Sequence, residues 1–448
     1  MNRFRSRLGS AVDVLPRRKL LRSLVIGAAV LVALAVALVA RAAGGGSFEV
    51  VSFYPEGSAY YDNLVAIDNS FEAAHLGTKI SLVFGGGAGD PAIVNRWLAG
   101  DPPEVNPGMF GPGAIGEEYA KAGQVHDLTT AMNQPLPKGS GYGTTKWKDT
   151  LLPAVKSWIT MNGHYYAVPE EITAINFFYN RAIFTKYHLQ APTTWSQFLA
   201  VCAALKKNGV APLTVTGTFL GYMQLYYDYL LARRSGTAAT LAAVAGTRSF
   251  SSVPGVLAAA SDLQTLVKQG YFLNGFQGTD FTSAQLDFFQ GKAAMILMGT
   301  WLEGEMKGSI PSNFQLGTFS FPKIPGGKGN GVLFGAVNDW TVAQKSANPT
   351  LGVQWLKWFS RKDVQAARIK YLTAMSPFKG VPAGPKYKGL LQSLQNGGSL
   401  SNDYFGIFNQ TASVRNAYQQ PIGKLMFGQI TAAEMVKEIS DGLQSAQR

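Results

Sequence analysis

The chain has 448 residues, enough for two domains of ordinary size, and its 46% hydrophobic and 15% charged content excludes an intrinsically disordered polymer. Its formal charge of +13 first suggests a nucleic-acid partner, but residues 1–46 carry eight basic residues and one acid, a net +7, which leaves +6 for all the rest. No dense Lys/Arg run follows, so nucleic acid is not expected as a partner, whereas a mildly basic surface sits comfortably beside anionic lipid.

Residues 17–47, "RRKLLRSLVIGAAVLVALAVALVARAAGGGS", are a cationic region followed by an uncharged apolar run from Ser23 to Ala40. The run ends in small residues with an A-x-A match at Ala40-Arg41-Ala42, which reads as an export signal, either cleaved there or retained as a membrane anchor. Arg17-Arg18 gives a weak twin-arginine pattern. Residues 1–46 are therefore expected to be a signal peptide or anchor with a Gly-rich leash. No cysteine follows the apolar run, which excludes a diacylglycerol-cysteine anchor, and the single Cys202, in "WSQFLAVCAALKK", reads as a buried thiol.

After the leash, "SFEVVSFY" predicts a strand, "SAYYDNLVAIDNSFEAAH" a helix with Leu64, Ile67 and Phe71 on one face, and "TKISLVF" a second strand. "DPAIVNRWLAG" predicts a helix capped by Asp90 with Pro91 at its first position. Strand, helix, strand, helix is the rhythm of a parallel sheet with crossovers. It continues past residue 150: an apolar strand from Ala174 to Tyr179 whose polar exception is Asn176, a helix capped by Thr193 or Thr194, the strand "APLTV", and further helices.

"FFQGKAAMILMGTW" closes a short helix, which Thr282 and Gln285 are expected to open as a capping box, and starts a strand, Ala293–Met298, expected to be buried on both faces. Gly299 and Trp301 stand where ligands sit in open α/β sheets, beyond the carboxyl ends of the strands. Position alone leaves two readings of Trp301 open, a ring facing a ligand or a plug in the core.

Several stretches, in order from about residue 48 to the C-terminus, together resemble the family 1 extracellular solute-binding proteins, the sugar-binding components of ABC importers that include the maltose-binding proteins. They are "LAGDPPEV", "YAKAGQVHDLT", "GHYYAVP", "FFYNRAIFTKYHLQAPTTWSQFLAVCAALKKNGVAPL", "FFQGKAAMILMGTW", "FSFPKIPGGKG" and "SANPTLGVQWLKWFS". The resemblance implies a two-lobed periplasmic-binding-protein α/β fold, each lobe a mainly parallel sheet flanked by helices, with the ligand cleft between them. It implies crossings near Pro169–Thr173, Met295–Gly299 and Val342–Ser346. Lobe one would be residues 48–170 and 297–342, and lobe two 171–296 and 343–448. Hinge closure around a mono- or oligosaccharide would then present a closed form to the permease subunits of an ABC transporter. The protein would act outside the cytoplasmic membrane, or in the periplasm, as a monomer.

The resemblance also implies contacts, position by position. Phe53 and Tyr54 end the first strand, and Asn106 follows the "PPEV" turn. Glu171, Thr173 and Asn176 line the hinge segment, and Phe219 stands where relatives often carry Trp. Trp301 matches the family's G-x-W, Asp339 and Trp340 end "GVLFGAVNDW", and Lys379 lies in "SPFKGVP". "NPGMFG" and "EITAIN" depart from the segments of glucose-binding relatives, so the sugar-specific contacts differ.

An enzyme is the weaker reading. Carboxylates are available in Glu170 and Glu171, Glu303 and Glu305, and Asp339, yet nothing in the sequence sets a second acid opposite a first, as a glycosidase needs. The four His residues (75, 126, 164, 188) lack metal-ligand spacing, no G-x-S-x-G elbow occurs, and neither Gly-rich stretch matches a phosphate or dinucleotide loop, so no metal or cofactor is expected. A sensing or adhesive protein on the same fold, or a receptor for a non-sugar solute, stays open as the alternative.

Overall fold

The computed structural model describes residues 45–85, 91–108, 116–372, 374–384, 386–395 and 399–448. The expected export segment and the expected cap Asp90 lie outside them. Among the described residues no helix is long and apolar enough to cross a membrane.

Eleven strands follow in chain order: β1 (Ser47–Ser52), β2 (Lys79–Phe84), β3 (Val105–Pro107), β4 (Thr160–Met161), β5 (His164–Tyr165), β6 (Ala167–Asn180), β7 (Ala211–Thr214), β8 (Ala293–Gly299), β9 (Leu316–Phe319), β10 (Val332–Val342) and β11 (Ser399–Asn402). Nine of them form one sheet with the order β2-β1-β3-β10-β6-β8-β7, with β11 also on β10 and β9 also on β6; β4 and β5 make a separate hairpin. The expected parallel pairing is found at the flanks, β1 with β2 and β3, and β7 with β8. It gives way in the middle, where β10 runs antiparallel to β3 and β6, and β6 antiparallel to β8 and β9.

β6 and β10 are the structural spine. β6 has 14 residues and β10 has 11, long enough for each to pair with different neighbours at its two ends. The first part of β6 (Ala167–Ala174) pairs with β10, while Ile175–Tyr179 pairs with β8. β10 pairs with β11 through Val332–Gly335 and with β3 through Trp340–Val342. Close approach of the two strands demands glycine at 335, where an added Cβ would lie 2.0 Å from the Thr173 carbonyl oxygen. A β-bulge falls between Asn338 and Asp339.

Two stretches of chain pack elsewhere than expected. Leu316–Phe319, expected with the first lobe, pairs with Phe177–Asn180 at the far end of β6. The helix Pro349–Phe359, expected with the second lobe, packs on the helix Ala59–Ala74: Trp355 donates its Nε1–H to Asp68 at 2.7 Å. The register decides the second, because β10 has already carried the chain back beside β3 before residue 343, whereas Leu316–Phe319 precedes β10 and follows its own antiparallel register on β6.

Local signals explain most helix starts. Thr194 caps the helix Trp195–Lys207 in a reciprocal box with Gln197, the arrangement that Thr-x-x-Gln specifies. The helix Phe281–Phe289 is capped differently from expectation: Asp280, not Thr282, accepts from the Ser283 backbone N–H at 2.7 Å. A carboxylate at the N-cap is both an acceptor and a counter-charge to the helix dipole, so it outcompetes a hydroxyl two residues on. Cys202 is buried within its helix. β8 is buried at all seven positions, as a strand with neighbours on both edges and both faces should be.

Candidate functional site

A cavity of about 310 Å³ opens where β6 and β10 cross the ends of the other strands. Its walls come from the turn after β1 (Phe53, Tyr54), the end of β3 (Pro107, Gly108), mid-β6 (Glu170, Thr173), mid-β10 (Ala336, Asn338) and the segment after β8 (Trp301, Glu305). Strand ends converging at a change of chain direction are where open α/β sheets hold ligands.

The aromatic wall is set by backbone geometry. Ser52 Oγ accepts from the Tyr54 backbone N–H at 3.1 Å and donates to the Tyr54 carbonyl at 2.6 Å, fixing the turn after β1. Tyr54 then stacks on Tyr60, with centroids 4.1 Å apart and planes 19° from parallel, and Phe53 packs edge-on against Tyr54 while staying 47% exposed. On the opposite wall Gly299 makes room for Trp301: a Cβ at 299 would lie 2.3 Å from the indole ring. The Gly-x-Trp spacing therefore folds the ring back over its own strand end. Thr300 anchors that turn, its backbone N–H donating to the Ala174 carbonyl at 3.0 Å.

The polar wall rests on a buried ion cluster. Arg368, from the helix Lys362–Leu372, is 1% exposed; its Nη2 donates to Glu170 at 2.5 Å and its Nη1 to Glu171 at 3.3 Å. Glu171 also accepts from the Asn338 side-chain amide at 3.2 Å. Burial pushes the Glu170 carboxyl up to about 7, with Arg368 opposing and Glu171 adding to the rise. Burial works to lower the Arg368 guanidinium, but the two glutamates override it and hold it firmly charged. Burial, then Glu171 and Glu170, raise the Tyr54 phenol, so it faces the cavity as a neutral hydroxyl. Thr173 Oγ1 is engaged with the Ala336 backbone, donating to the carbonyl and accepting from the N–H at 3.1 Å each. Glu305 has a side chain exposed on the cavity wall, and its one hydrogen bond is from the Gln285 amide at 3.1 Å. Neighbouring protein atoms raise its carboxyl pKa, and that amide partly opposes them.

Four of the residues singled out from sequence thus line one cavity: Phe53, Tyr54, Thr173 and Trp301. Glu171 lies just behind the wall in the ion cluster. Asn106 is buried and bound to the Pro103 carbonyl and the Trp97 indole. Asn176 is fully buried on β6, donating to the Phe177 carbonyl. Trp340 is core, edge-on to Trp355 and Phe359. Asp339 is buried, and its carbonyl accepts from the Gly108 N–H at 2.8 Å. Phe219 caps the helix Leu220–Ser235 as an exposed ring, and Lys379 reaches the Asp149 carbonyl at 2.8 Å; neither lines the cavity. Sequence reasoning passed over Asn338 and Arg368, and weighed Glu170 and Glu305 only as catalytic carboxylates, not as ligand contacts. Alternation along β10 carried part of that signal, with Ala336 and Asn338 on the cavity and Asp339 off it, but on β6 the bulge leaves Glu170 as an extra residue between the Glu171–Asn338 and Pro169–Asp339 pairs, so Glu170 and Thr173 both line the cavity out of strict alternation. Among the described residues, no cluster of three or more His, Cys, Asp or Glu could hold a metal ion.

The sequence profile of the bacterial extracellular solute-binding proteins matches residues 54–366, which spans both crossing strands and every wall of the cavity except Phe53. The chain belongs to that family. It is 25% identical, over 71% of its length and 69% of the relative's, to an uncharacterised ABC transporter extracellular-binding protein of Pyrococcus horikoshii. It is 26% identical to a probable sugar-binding periplasmic protein of Mesorhizobium japonicum, over 80% of this chain and 85% of that one. A solved chitin oligosaccharide binding protein superposes on 90% of the chain and 99% of its own, with a TM-score of 0.70 and 22% identity. That likeness establishes the two-lobed fold.

Proposed function

We propose that this solute-binding protein is an exported carbohydrate receptor that takes a saccharide into the cavity between β6 and β10 and delivers it to an ABC-type permease. The observation that carries the reading is that one cavity is lined both by the rings of Phe53, Tyr54 and Trp301 and by the polar groups of Glu170, Glu305 and Asn338. Sugars offer C–H faces that stack on rings and hydroxyls that need fixed acceptors and donors. Relatives named for sugar and chitin-oligosaccharide binding support the same ligand class.

In this reading the lobes divide by strand pairing. The first holds β2, β1 and β3 with the helices of residues 349–372; the second holds β7, β8, β9 and β11 with the C-terminal helices. β6 and β10 connect them, and ligand contacts from both sides favour closure. The N-terminal segment directs export and either stays as an anchor or is removed. Binding, not catalysis, is the activity assigned.

A thermal-shift screen of the full chain tests this, using mono- and oligosaccharides with amino acids, polyamines and glycerol phosphodiesters as controls. A ligand of the folded state raises the melting temperature by mass action. A saturable rise with one saccharide class, weakened on the order of tenfold in affinity by Trp301→Ala, is the expected result. Shifts confined to non-carbohydrates would overturn it.

A further inference from the structure

The charge on the cavity wall narrows the ligand further, on the footing of the carbohydrate reading above. Two carboxylates, Glu170 and Glu305, line the cavity, and none of its lining residues is Lys, Arg or His. Arg368 stands behind the wall, but its single charge is shared by Glu170 and Glu171, so that cluster retains one negative charge when both glutamates are ionised. Among the described residues no cation forms an ion pair with Glu305, whose side chain accepts from the neutral Gln285 amide. The neighbouring acid Glu303 does have one, the ammonium of Lys386, so the contrast lies two residues apart on the same helix turn. Outside the described residues, 86–90, 109–115, 373, 385 and 396–398 include no Lys, Arg or His, and the basic residues there all fall within 1–44.

Glu305 tolerates this while water solvates it. Closing the cleft over a neutral ligand would take that water away and leave a carboxylate facing a low-dielectric cavity, at a cost that only a proton or a cation removes. An anionic sugar, a uronate or a sugar phosphate, would add repulsion. A protonated amine would instead form a charge-assisted hydrogen bond to Glu305 and meet the negative faces of the surrounding rings. Tyr54 is already within electrostatic reach of both Glu170 and Glu305, which places the carboxylates and the aromatic wall at one spot. The geometry points to a basic amino sugar as the ligand of this cavity, its ammonium held by Glu305 with Glu170 as the second negative wall and its ring stacked on Trp301 or Tyr54.

The test is titration calorimetry of the full chain at neutral pH with matched saccharides: glucosamine, galactosamine, mannosamine and the β-1,4-linked glucosamine dimer, each beside its N-acetylated and its hydroxyl counterpart. The expected result is one amine binding about tenfold or more tighter than both counterparts. Glu305→Gln removes the charge that only the amine can exploit and should shrink that ratio toward one. An N-acetylated or hydroxyl sugar that binds as well as its amine would overturn the amino-sugar assignment and leave the carbohydrate receptor standing. Discrimination that survives Glu305→Gln undiminished would also overturn it. If no saccharide binds and a sugar-free polyamine does, both readings fall together.

Discussion

Two buried arginines, both 1% exposed, show how differently the two sides of this molecule handle a charge. Arg368 sits behind the cavity and is met by two carboxylates, Glu170 and Glu171. Arg233, on the helix Leu220–Ser235, has no carboxylate partner among the described residues: it donates to the carbonyls of Phe321, Gly329 and Val332 and lies over the rings of Tyr229 and Phe321. Burial correspondingly lowers the Arg233 pKa, whereas Arg368 is raised. The first arrangement couples a wall residue of the cavity to a helix almost two hundred residues away. The second staples a loop to the start of β10 and uses partial charges only. A buried cation alone is therefore no sign of a ligand site; the useful sign is a titratable partner that also faces the cavity.

Substitution of the two arginines sharpens that contrast. Arg368→Met leaves two buried glutamates without a counter-charge and should cost about 3–5 kcal/mol at neutral pH, read from denaturant unfolding. Its cost should shrink in acid. Glu170 is raised in the folded state, so its stabilising contribution is full below the ordinary carboxylate range and is lost as pH rises through about 7. Without Arg368 opposing the rise, protonation rescues the variant over a wider range. Arg233→Met strands three carbonyls instead, costs about 2–3 kcal/mol, and should show no comparable dependence on pH. Equal pH profiles for the two variants would break the comparison.

A smaller effect is expected at Gly299. Gly299→Ala forces a Cβ into the Trp301 ring, so the indole must leave its place over the strand end. The expected outcome is about 1–3 kcal/mol of destabilisation together with weakened saccharide binding, checked by unfolding and calorimetry on the same sample. The smallest effect belongs to Lys379→Ala. Lys379 is exposed and reaches a backbone carbonyl away from the cavity, so stability should change by about 0.5 kcal/mol or less and affinity not at all.

Much of the fold was legible in the sequence because its signals are local. The apolar run Ala293–Met298 bounded by Gly291 and Gly299 specifies a buried strand, and Thr194 with Gln197 specifies a helix start. The site was legible where a motif carries its own geometry, as Gly299 and Trp301 do. It was not legible where long-range pairing decides. Arg368 could not be matched to Glu170 and Glu171 across almost two hundred residues, so the ion cluster behind the wall stayed hidden. The resemblance made Asp339 and Trp340 attractive, but Asp339 falls out of phase with the cavity-lining Ala336 and Asn338, and packing against Trp355 and Phe359 claims the Trp340 ring for the core. Asn106 and Asn176 look like ligand readers by type, but each satisfies nearby backbone instead.

The most direct test of the account is a crystal structure of the protein with the saccharide that the binding screen selects. The account predicts the sugar ring stacked against Trp301 or Tyr54, within hydrogen-bonding distance of Glu170 or Glu305, between the turn after β1 and the segment after β8. Sugar seated elsewhere, for instance in the separate cavity of about 290 Å³ beside Arg233 and Lys323, would contradict it.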